Sequence, residues 1–120
     1  MFNFEKLDAW HKAIELTNLV YRATQAFPND ERFGLTNQIR RAVVSISSHP
    51  AEGCSRSSKN DFARFGEIAT GSAFAVASQA VIARHWGYLG EPGCQQIQAS
   101  ALAITRMLSG LRQSLLRDGG

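Results

Sequence analysis

The chain has 120 residues, of which 44% are hydrophobic and 19% charged, a composition that excludes a disordered or fibrous protein and fits one folded domain. The formal net charge is only +3, but residues 36–65 contain five basic and two acidic side chains while the rest of the chain is balanced. Such a cluster is typical of an anion-binding surface or of an ordinary solvated surface.

The sequence also argues against a secreted or membrane-spanning protein. Its first residues show no basic leader followed by an apolar run, so no secretory signal is predicted. The longest uncharged stretch, Ile68 to Ala83, consists largely of small residues and is shorter than the roughly 20 strongly apolar residues of a membrane span. Cys54 and Cys94 lack Cys-x-x-Cys spacing and flanking histidine pairs, which favours free thiols. We therefore expect a cytoplasmic protein without membrane contact.

A first helix is predicted over residues 7–26. Its apolar residues form two adjacent rows at helical spacing, Leu7, Trp10, Ile14, Thr17 and Tyr21 in one row and Ala13, Leu16, Val20 and Ala23 in the other. The helix is expected to end before Pro28, because a proline disfavours the helical conformation at the preceding residue and the Asn-Asp pair after it favours a turn.

A second helix is predicted over residues 33–53. Its inner face carries four apolar residues at helical spacing, Leu35, Ile39, Val43 and Ile46. Pro50 falls where this helix would still be running, and a proline in a regular helix interior costs roughly 3 kcal/mol. A kink or an early stop near Ser47 is therefore expected.

A third helix is predicted over residues 58–88, with Ser57 or Ser58 placed to cap its first turn. Its middle is apolar or small on every side, unlike the one-sided pattern of a surface helix. Because each helix of a four-helix monomer shows one side to water, this pattern predicts that the third helix also lies against another subunit. The residues expected at that oligomer interface are Gly71, Ser72, Ala73, Phe74 and Ala77.

A fourth helix is predicted over residues 93–116, after a turn in which Pro92 can occupy the first helical turn. Its apolar residues alternate steps of four and three, at Ile97, Ala101, Ile104, Leu108, Leu111 and Leu115, which is the seam of an antiparallel bundle. The four segments together predict an all-α protein, a single-domain antiparallel up-down-up-down four-helix bundle.

Three longer blocks of sequence and several shorter ones carry a resemblance to a known family. The longer blocks are Glu31-Arg32-Phe33-Gly34-Leu35 with Gln38-Ile39-Arg40-Arg41-Ala42, then Ala51-Glu52-Gly53, then Ile68-Ala69-Thr70-Gly71-Ser72; Phe4, Leu7 and Trp10 lie ahead of them, and Gly87-Tyr88-Leu89 and Met107-Leu108 follow. In this order and spacing the chain resembles the bacterial four-helix-bundle proteins called 23S rRNA intervening-sequence proteins. The same broad family is similar to the accessory protein of diversity-generating retroelements, a ring-forming bundle that assists a reverse transcriptase by binding nucleic acid. The resemblance implies a homo-oligomer, with a pentamer as the best single expectation.

The chain departs from the pattern of that family beside one of these blocks. His49 and Pro50 stand where the relatives have an Asn-Ile pair before Ala-Glu-Gly, and the acidic residue that follows the Gly-Ser step in the relatives is absent. Functions that the family derives from these polar positions are therefore in doubt for this chain. We expect Glu52 to form a structural ion pair with Arg40, Arg41 or Arg56 and to orient the turn.

No recognisable catalytic or metal-binding pattern occurs in the sequence. A di-iron bundle needs two Glu-x-x-His pairs and the chain contains none, while the single reverse arrangement, His49 with Glu52, is typical of a local hydrogen bond. A glycine-rich phosphate loop and a serine nucleophile motif are also missing. The prediction is a protein that is not an enzyme, with no metal, cofactor or small-molecule substrate.

The basic side chains are the strongest functional candidates, because guanidinium and ammonium groups bind phosphates without reading base sequence. The residues predicted to bind RNA or DNA in this way are Arg40, Arg41, Arg56, Lys59 and Arg64. The competing interpretation, of about equal weight, is that they pair with the acidic residues Glu52, Asp61 and Glu67. The alternative function is an adaptor ring that binds a protein partner through an exposed apolar patch around Trp86, Tyr88 and Leu89 or through a mobile amino terminus with Phe2 and Phe4.

Overall fold

The computed structural model describes residues 2–119, and the side chains of residues 2–117. The chain folds into four α-helices, α1 (Asp8–Thr24), α2 (Leu35–Gly53), α3 (Lys59–His85) and α4 (Glu91–Gly119). Short 3-10 helices at Asn3–Lys6 and Asn29–Glu31 precede α1 and α2, and the described residues contain no β-strand. The bundle measures 47 × 21 × 21 Å. The predicted all-α four-helix fold is confirmed.

Side-chain contacts between α3 and α4 show that these helices run antiparallel. Glu67 pairs with Arg112 at 2.6 Å and Arg84 pairs with Glu91 at 3.2 Å, so residue numbers rise along one helix as they fall along the other. The relation of α2 to α3 is the same. The Ser45 hydroxyl donates to Ser72 Oγ at 2.6 Å, and the rings of His49 and Phe65 lie 6.1 Å apart.

The core draws aliphatic side chains from every helix, but α3 contributes mostly alanines. Its core residues are Ala69, Ala73, Val76 and Ala80, against larger residues such as Leu16, Ile39 and Ile104 from the other helices. Small side chains let α3 approach both α2 and α4 closely. By contrast, an open polar groove of about 530 Å³ separates part of α1 from α4.

The inner side of α1 is the second of the two predicted rows. Ala13, Leu16 and Val20 are fully buried, whereas Trp10 is half-buried and Tyr21 is exposed. Alanine brings the α1 backbone close to the core, so the larger aromatic rings are left at the edges of the helix.

Of the kink or early stop expected near Ser47, the early stop does not occur, since the helix continues through Pro50 to Gly53, where its predicted range ends. Pro50 is fully buried, and its carbonyl still accepts a hydrogen bond from the Cys54 amide at 3.1 Å. The proline removes one backbone hydrogen bond, and burial of its ring offsets part of that loss.

The start of α3 follows the prediction, because the Asp61 amide donates to the Ser58 side chain at 2.9 Å. Its end comes earlier than predicted, at His85 rather than residue 88. Gly87 adopts a φ of +76°, a left-handed conformation that favours glycine, and the Tyr88 amide donates back to the Ala83 carbonyl at 2.9 Å. The predicted third helix therefore ends in a glycine cap.

The outward side of α3 is exposed and apolar in the single chain. Ile68, Phe74 and Ile82 are its large exposed side chains, and Gly71 lies between them with open space beside its Cα. By length and mean hydropathy alone, 1.2, this helix would also pass as a weak membrane-span candidate. Here its inner side packs between α2 and α4 in the bundle core.

Two of the sequence blocks meet at one end of the bundle. One carboxylate oxygen of Glu31 accepts the Leu35 amide at 3.1 Å and so caps α2, while the other accepts the Tyr88 hydroxyl at 3.2 Å. A Cβ on Gly34 would lie only 2.7 Å from the first of these oxygens. Glycine at position 34 therefore makes room for the carboxylate that joins the start of α2 to the α3–α4 turn.

Candidate nucleic-acid interface

The five predicted phosphate-binding side chains occupy two separate places. Arg40 and Arg41 lie on α2, five and six residues after its start, whereas Arg56, Lys59 and Arg64 surround the α2–α3 turn. At 1.5 Å of rise per residue, the last helical residue of α2 is about 18 Å from Arg41 along the helix axis. The structure thus divides the sequence cluster into a helix pair and a turn group.

Arg40 turns toward α1 rather than toward solvent. Its Nε donates to Thr24 Oγ1 at 2.8 Å, a terminal nitrogen donates to the Tyr21 carbonyl at 3.4 Å, and the guanidinium lies 4.6 Å from the centre of the Tyr21 ring. The side chain is only partly buried. Arg40 therefore connects α1 to α2 while part of its guanidinium group remains accessible.

Arg41 points outward, into an open groove of about 390 Å³ between α1 and α2. We call this the α1–α2 groove; it is lined by Tyr21, Asn37, Arg40, Arg41, Val44, Ser45 and Ser48. Among the described side chains no carboxylate pairs with Arg41, which is exposed. Its guanidinium is therefore available to an external anion.

The turn group combines one paired and two unpaired cations. Arg56 pairs with Glu52 at 3.4 Å and lies over the Phe65 ring at 4.8 Å. Lys59 and Arg64 are exposed and have no ion-pair partner within the described part of the chain. Of the three arginines considered for Glu52, the one it contacts is Arg56.

The other two acidic residues considered as partners lie elsewhere. Glu67 pairs with Arg112 on α4, and no basic side chain in residues 2–117 pairs with Asp61. Thus Arg56 is held by an ion pair within the chain and Arg40 by hydrogen bonds. Neither kind of contact holds Arg41, Lys59 or Arg64 in the described part of the chain.

His49, one of the departures from the family pattern, faces α3 beside Phe65. Its Nδ1 is buried and lacks a hydrogen-bond partner among the described residues. Burial raises the pKa of the thiol of Cys54, which directly follows α2, and this disfavours the reactive thiolate. Within the described residues no three His, Cys, Asp or Glu side chains are grouped so that they could hold a metal ion.

The predicted oligomer-interface residues are distributed around α3. Phe74 is 66% exposed and Gly71 is exposed, whereas Ala73 is 0% exposed in the core of the single chain and is not accessible to a second subunit. Ser72 and Ala77 are half-buried toward α2 and α4, respectively.

Sequence reasoning missed the rest of this apolar surface. We define the apolar patch as Ile68, Phe74 and Ile82 of α3 together with Leu102 of α4, which shares a shallow apolar groove with Phe74 and is 50% exposed. The spacing of Ile68 and Ile82, four helical turns apart within an uncharged stretch, was the available signal. The sequence carries no such signal for Leu102, because only the packing of α4 on α3 brings this residue beside Phe74.

The fold and this surface define a class: an all-α bundle with exposed, unpaired basic side chains on one part of its surface and an apolar patch on another. The sequence model for the 23S rRNA-intervening sequence protein matches residues 5–110. The chain belongs to the 23S rRNA-intervening sequence protein family.

A solved structure shares the fold. The chain is similar to a protein of unknown function from the S23 ribosomal protein family of Bacteroides thetaiotaomicron VPI-5482, with a TM-score of 0.79 and 19% sequence identity. The similarity covers 87% of this chain and 97% of that chain. A search of curated proteins gave no significant match.

Proposed function

We propose that this protein is a non-catalytic, homo-oligomeric cytoplasmic bundle that binds RNA or DNA phosphates without sequence specificity. The observation that carries the proposal is the exposure of Arg41, Lys59 and Arg64 without an acidic partner in the described part of the chain. A phosphate binding to these groups displaces no protein carboxylate, so the charge-assisted hydrogen bonds add directly to affinity.

The apolar patch supports self-association. No charged residue occurs between Ile68 and Ala83, and the charges at the two ends of this stretch of α3 are already paired within the chain, Glu67 with Arg112 and Arg84 with Glu91. An electrically neutral apolar surface fits a second copy of the same chain better than a charged partner. A ring, with five subunits as our expectation, would repeat the basic side chains and raise weak affinity by avidity.

Binding of a mixed RNA and DNA pool at several salt concentrations tests the proposal. The native chain is compared with a triple variant, Arg41→Gln, Lys59→Gln and Arg64→Gln. The matched control changes three exposed basic residues outside both basic groups, Lys6→Gln, Arg22→Gln and Arg106→Gln. Every form is first shown by light scattering to have the same oligomeric size, so that avidity is constant.

We expect the native and control chains to bind with an affinity that falls as salt rises. Three phosphate contacts on a single strand give a slope of about −2 for log affinity against log salt. The triple variant should lose most of this slope. Absence of native binding at low salt, or equal losses in the control and the triple variant, would refute the proposed basic surface.

A second candidate function is supported by the end of the bundle opposite the α2–α3 turn. Phe33 and Trp86 are 84% and 71% exposed there, while Tyr88 and Leu89 of the same predicted patch are half-buried. At the other end Phe4 packs on Trp10 at 5.1 Å between ring centres. An adaptor role through Phe33 and Trp86 predicts a protein partner whose binding changes little with salt, since apolar contacts are not screened.

A further inference from the structure

The α1–α2 groove holds an arginine whose position is fixed before any ligand binds. Thr24 Oγ1 accepts from Arg40 Nε at 2.8 Å and the Tyr21 carbonyl accepts from a terminal nitrogen at 3.4 Å. The Tyr21 ring lies beneath the guanidinium at 4.6 Å. A side chain held by two hydrogen bonds and a ring loses little conformational freedom when a ligand contacts it.

The Tyr21 ring supports one side of the Arg40 guanidinium, and both groups line the groove. Unpaired nucleic-acid bases stack on aromatic rings and on arginine guanidinium planes, and this stacking tolerates every base because each has a π face. Arg40 and Tyr21 both line the groove, and Arg41 beside them is exposed and unpaired among the described residues. A base contact and a phosphate contact are thus available within one groove.

We propose that the α1–α2 groove binds single-stranded nucleic acid, with one unpaired base stacked on Arg40 and Tyr21 and the adjoining phosphate bound by Arg41. The inference rests on the proposed function and deepens it by naming the form of nucleic acid. A base in a duplex is paired and stacked on its neighbours, and extruding it costs a few kcal/mol. The groove therefore selects single strands over duplexes, in contrast to a surface that binds phosphates alone.

The test uses fluorescence anisotropy with labelled oligonucleotides of one length. The ligands are single-stranded RNA, single-stranded DNA, a DNA duplex, and an abasic DNA strand that keeps every phosphate but lacks the bases. The native chain is expected to bind the single strands at least about fivefold more tightly than the abasic strand, since one stacked base contributes about 1–3 kcal/mol. The RNA and DNA arms show which strand is preferred.

Three variants locate the effect. Arg40→Lys keeps the charge but removes the plane, and Tyr21→Leu removes the ring; both should reduce the preference for strands with bases while leaving the salt slope unchanged. Arg41→Gln should lower affinity for all strands alike and reduce the slope by about 0.7. Circular dichroism checks that each variant is folded. If the loss of contacts to α1 unfolds Arg40→Lys, the result of Tyr21→Leu alone is used.

The outcomes separate this inference from the proposed function. Equal native affinity for the abasic strand and the single strands overturns base stacking while leaving phosphate binding intact. Native binding to none of the ligands at low salt overturns both. The abasic comparison uses only the native chain, so base stacking is tested even if every variant misfolds, and an unchanged preference for bases in folded Tyr21→Leu overturns the assignment of stacking to this groove.

Discussion

The two long sides of this bundle differ in chemistry although all four helices share one core. The α1–α2 side carries a groove with two arginines, whereas the α3–α4 side carries the uncharged apolar patch with the exposed pair Phe74 and Leu102. Because these two surfaces are separate, self-association and anion binding need not compete for the same residues. A contact that pairs the apolar patch with the same patch of a second copy would leave the groove open in both subunits, whereas a ring also uses a second contact surface on each subunit.

The largest effect is expected from a charge placed in the apolar patch. Phe74→Glu should convert the oligomer to a folded monomer, because burying an unpaired carboxylate against a second copy costs several kcal/mol. Sedimentation measures the mass and circular dichroism the helix content. Phe33→Glu, at a more exposed phenylalanine outside the patch, is the matched control and should leave the mass unchanged. A native chain that is already monomeric would refute self-association.

The packing of the α1–α2 side on the α3–α4 side can be weakened at Gly53, where α2 contacts α3. A Cβ at this position would lie 2.9 Å from Phe62 Cδ1 and 3.1 Å from Phe65 Cβ. Gly53→Ala should therefore lower the free energy of unfolding by about 1–3 kcal/mol through overpacking. Gly110→Ala on α4 faces open space and should raise it by about 0.5–1 kcal/mol in chemical denaturation. Equal shifts in both variants would contradict the close approach at Gly53.

The basic side can be strengthened by freeing Arg56 from its carboxylate. Glu52→Gln removes an exposed ion pair, so stability should fall by less than about 1 kcal/mol. Affinity for nucleic acid should rise and its salt slope should steepen by up to about 0.7, because one more cation becomes available. Glu15→Gln, which breaks the Lys12 pair on α1, is the control in the same anisotropy assay. A slope that stays unchanged after Glu52→Gln would remove Arg56 from the binding surface.

The smallest effect concerns the bundle end where Tyr88 meets Glu31. Partial burial, followed by the hydrogen bond and negative charge of Glu31, raises the pKa of Tyr88 above its usual 10.0. The folded state thus retains the phenolic proton of Tyr88 to a higher pH than the unfolded state does. This contribution to stability is complete below pH 10 and is lost as pH rises through the folded pKa. Tyr88→Phe should unfold with a weaker pH dependence above pH 10 than Tyr21→Phe; identical curves would contradict the assignment.

Helical periodicity was sufficient to predict the four helices and the buried part of the α4 seam, from Ile97 to Leu108. Capping preference predicted Ser57 or Ser58 at the start of α3, and the cap is Ser58. Periodicity did not predict to which side of the helix each of two neighbouring side chains points. Successive residues differ by about 100° around an α-helix, so Arg40 faces α1 while Arg41 faces solvent. The same rotation places Ala73 in the core and Phe74 outside, although both were expected at one interface. Contacts such as Phe74 with Leu102 depend on how two helices dock, which local sequence does not encode.

The hydrogen bond between Tyr88 and Glu31 joins residues 57 positions apart and has a consequence for how the bundle assembles. Each helical hairpin, α1 with α2 and α3 with α4, is built from contacts that are closer along the chain, so each can form early. The Glu31 carboxylate gains the Tyr88 hydroxyl only after the two hairpins have docked. Because the same carboxylate binds the Leu35 amide, hydrogen exchange at Leu35 should report the docking of one hairpin on the other.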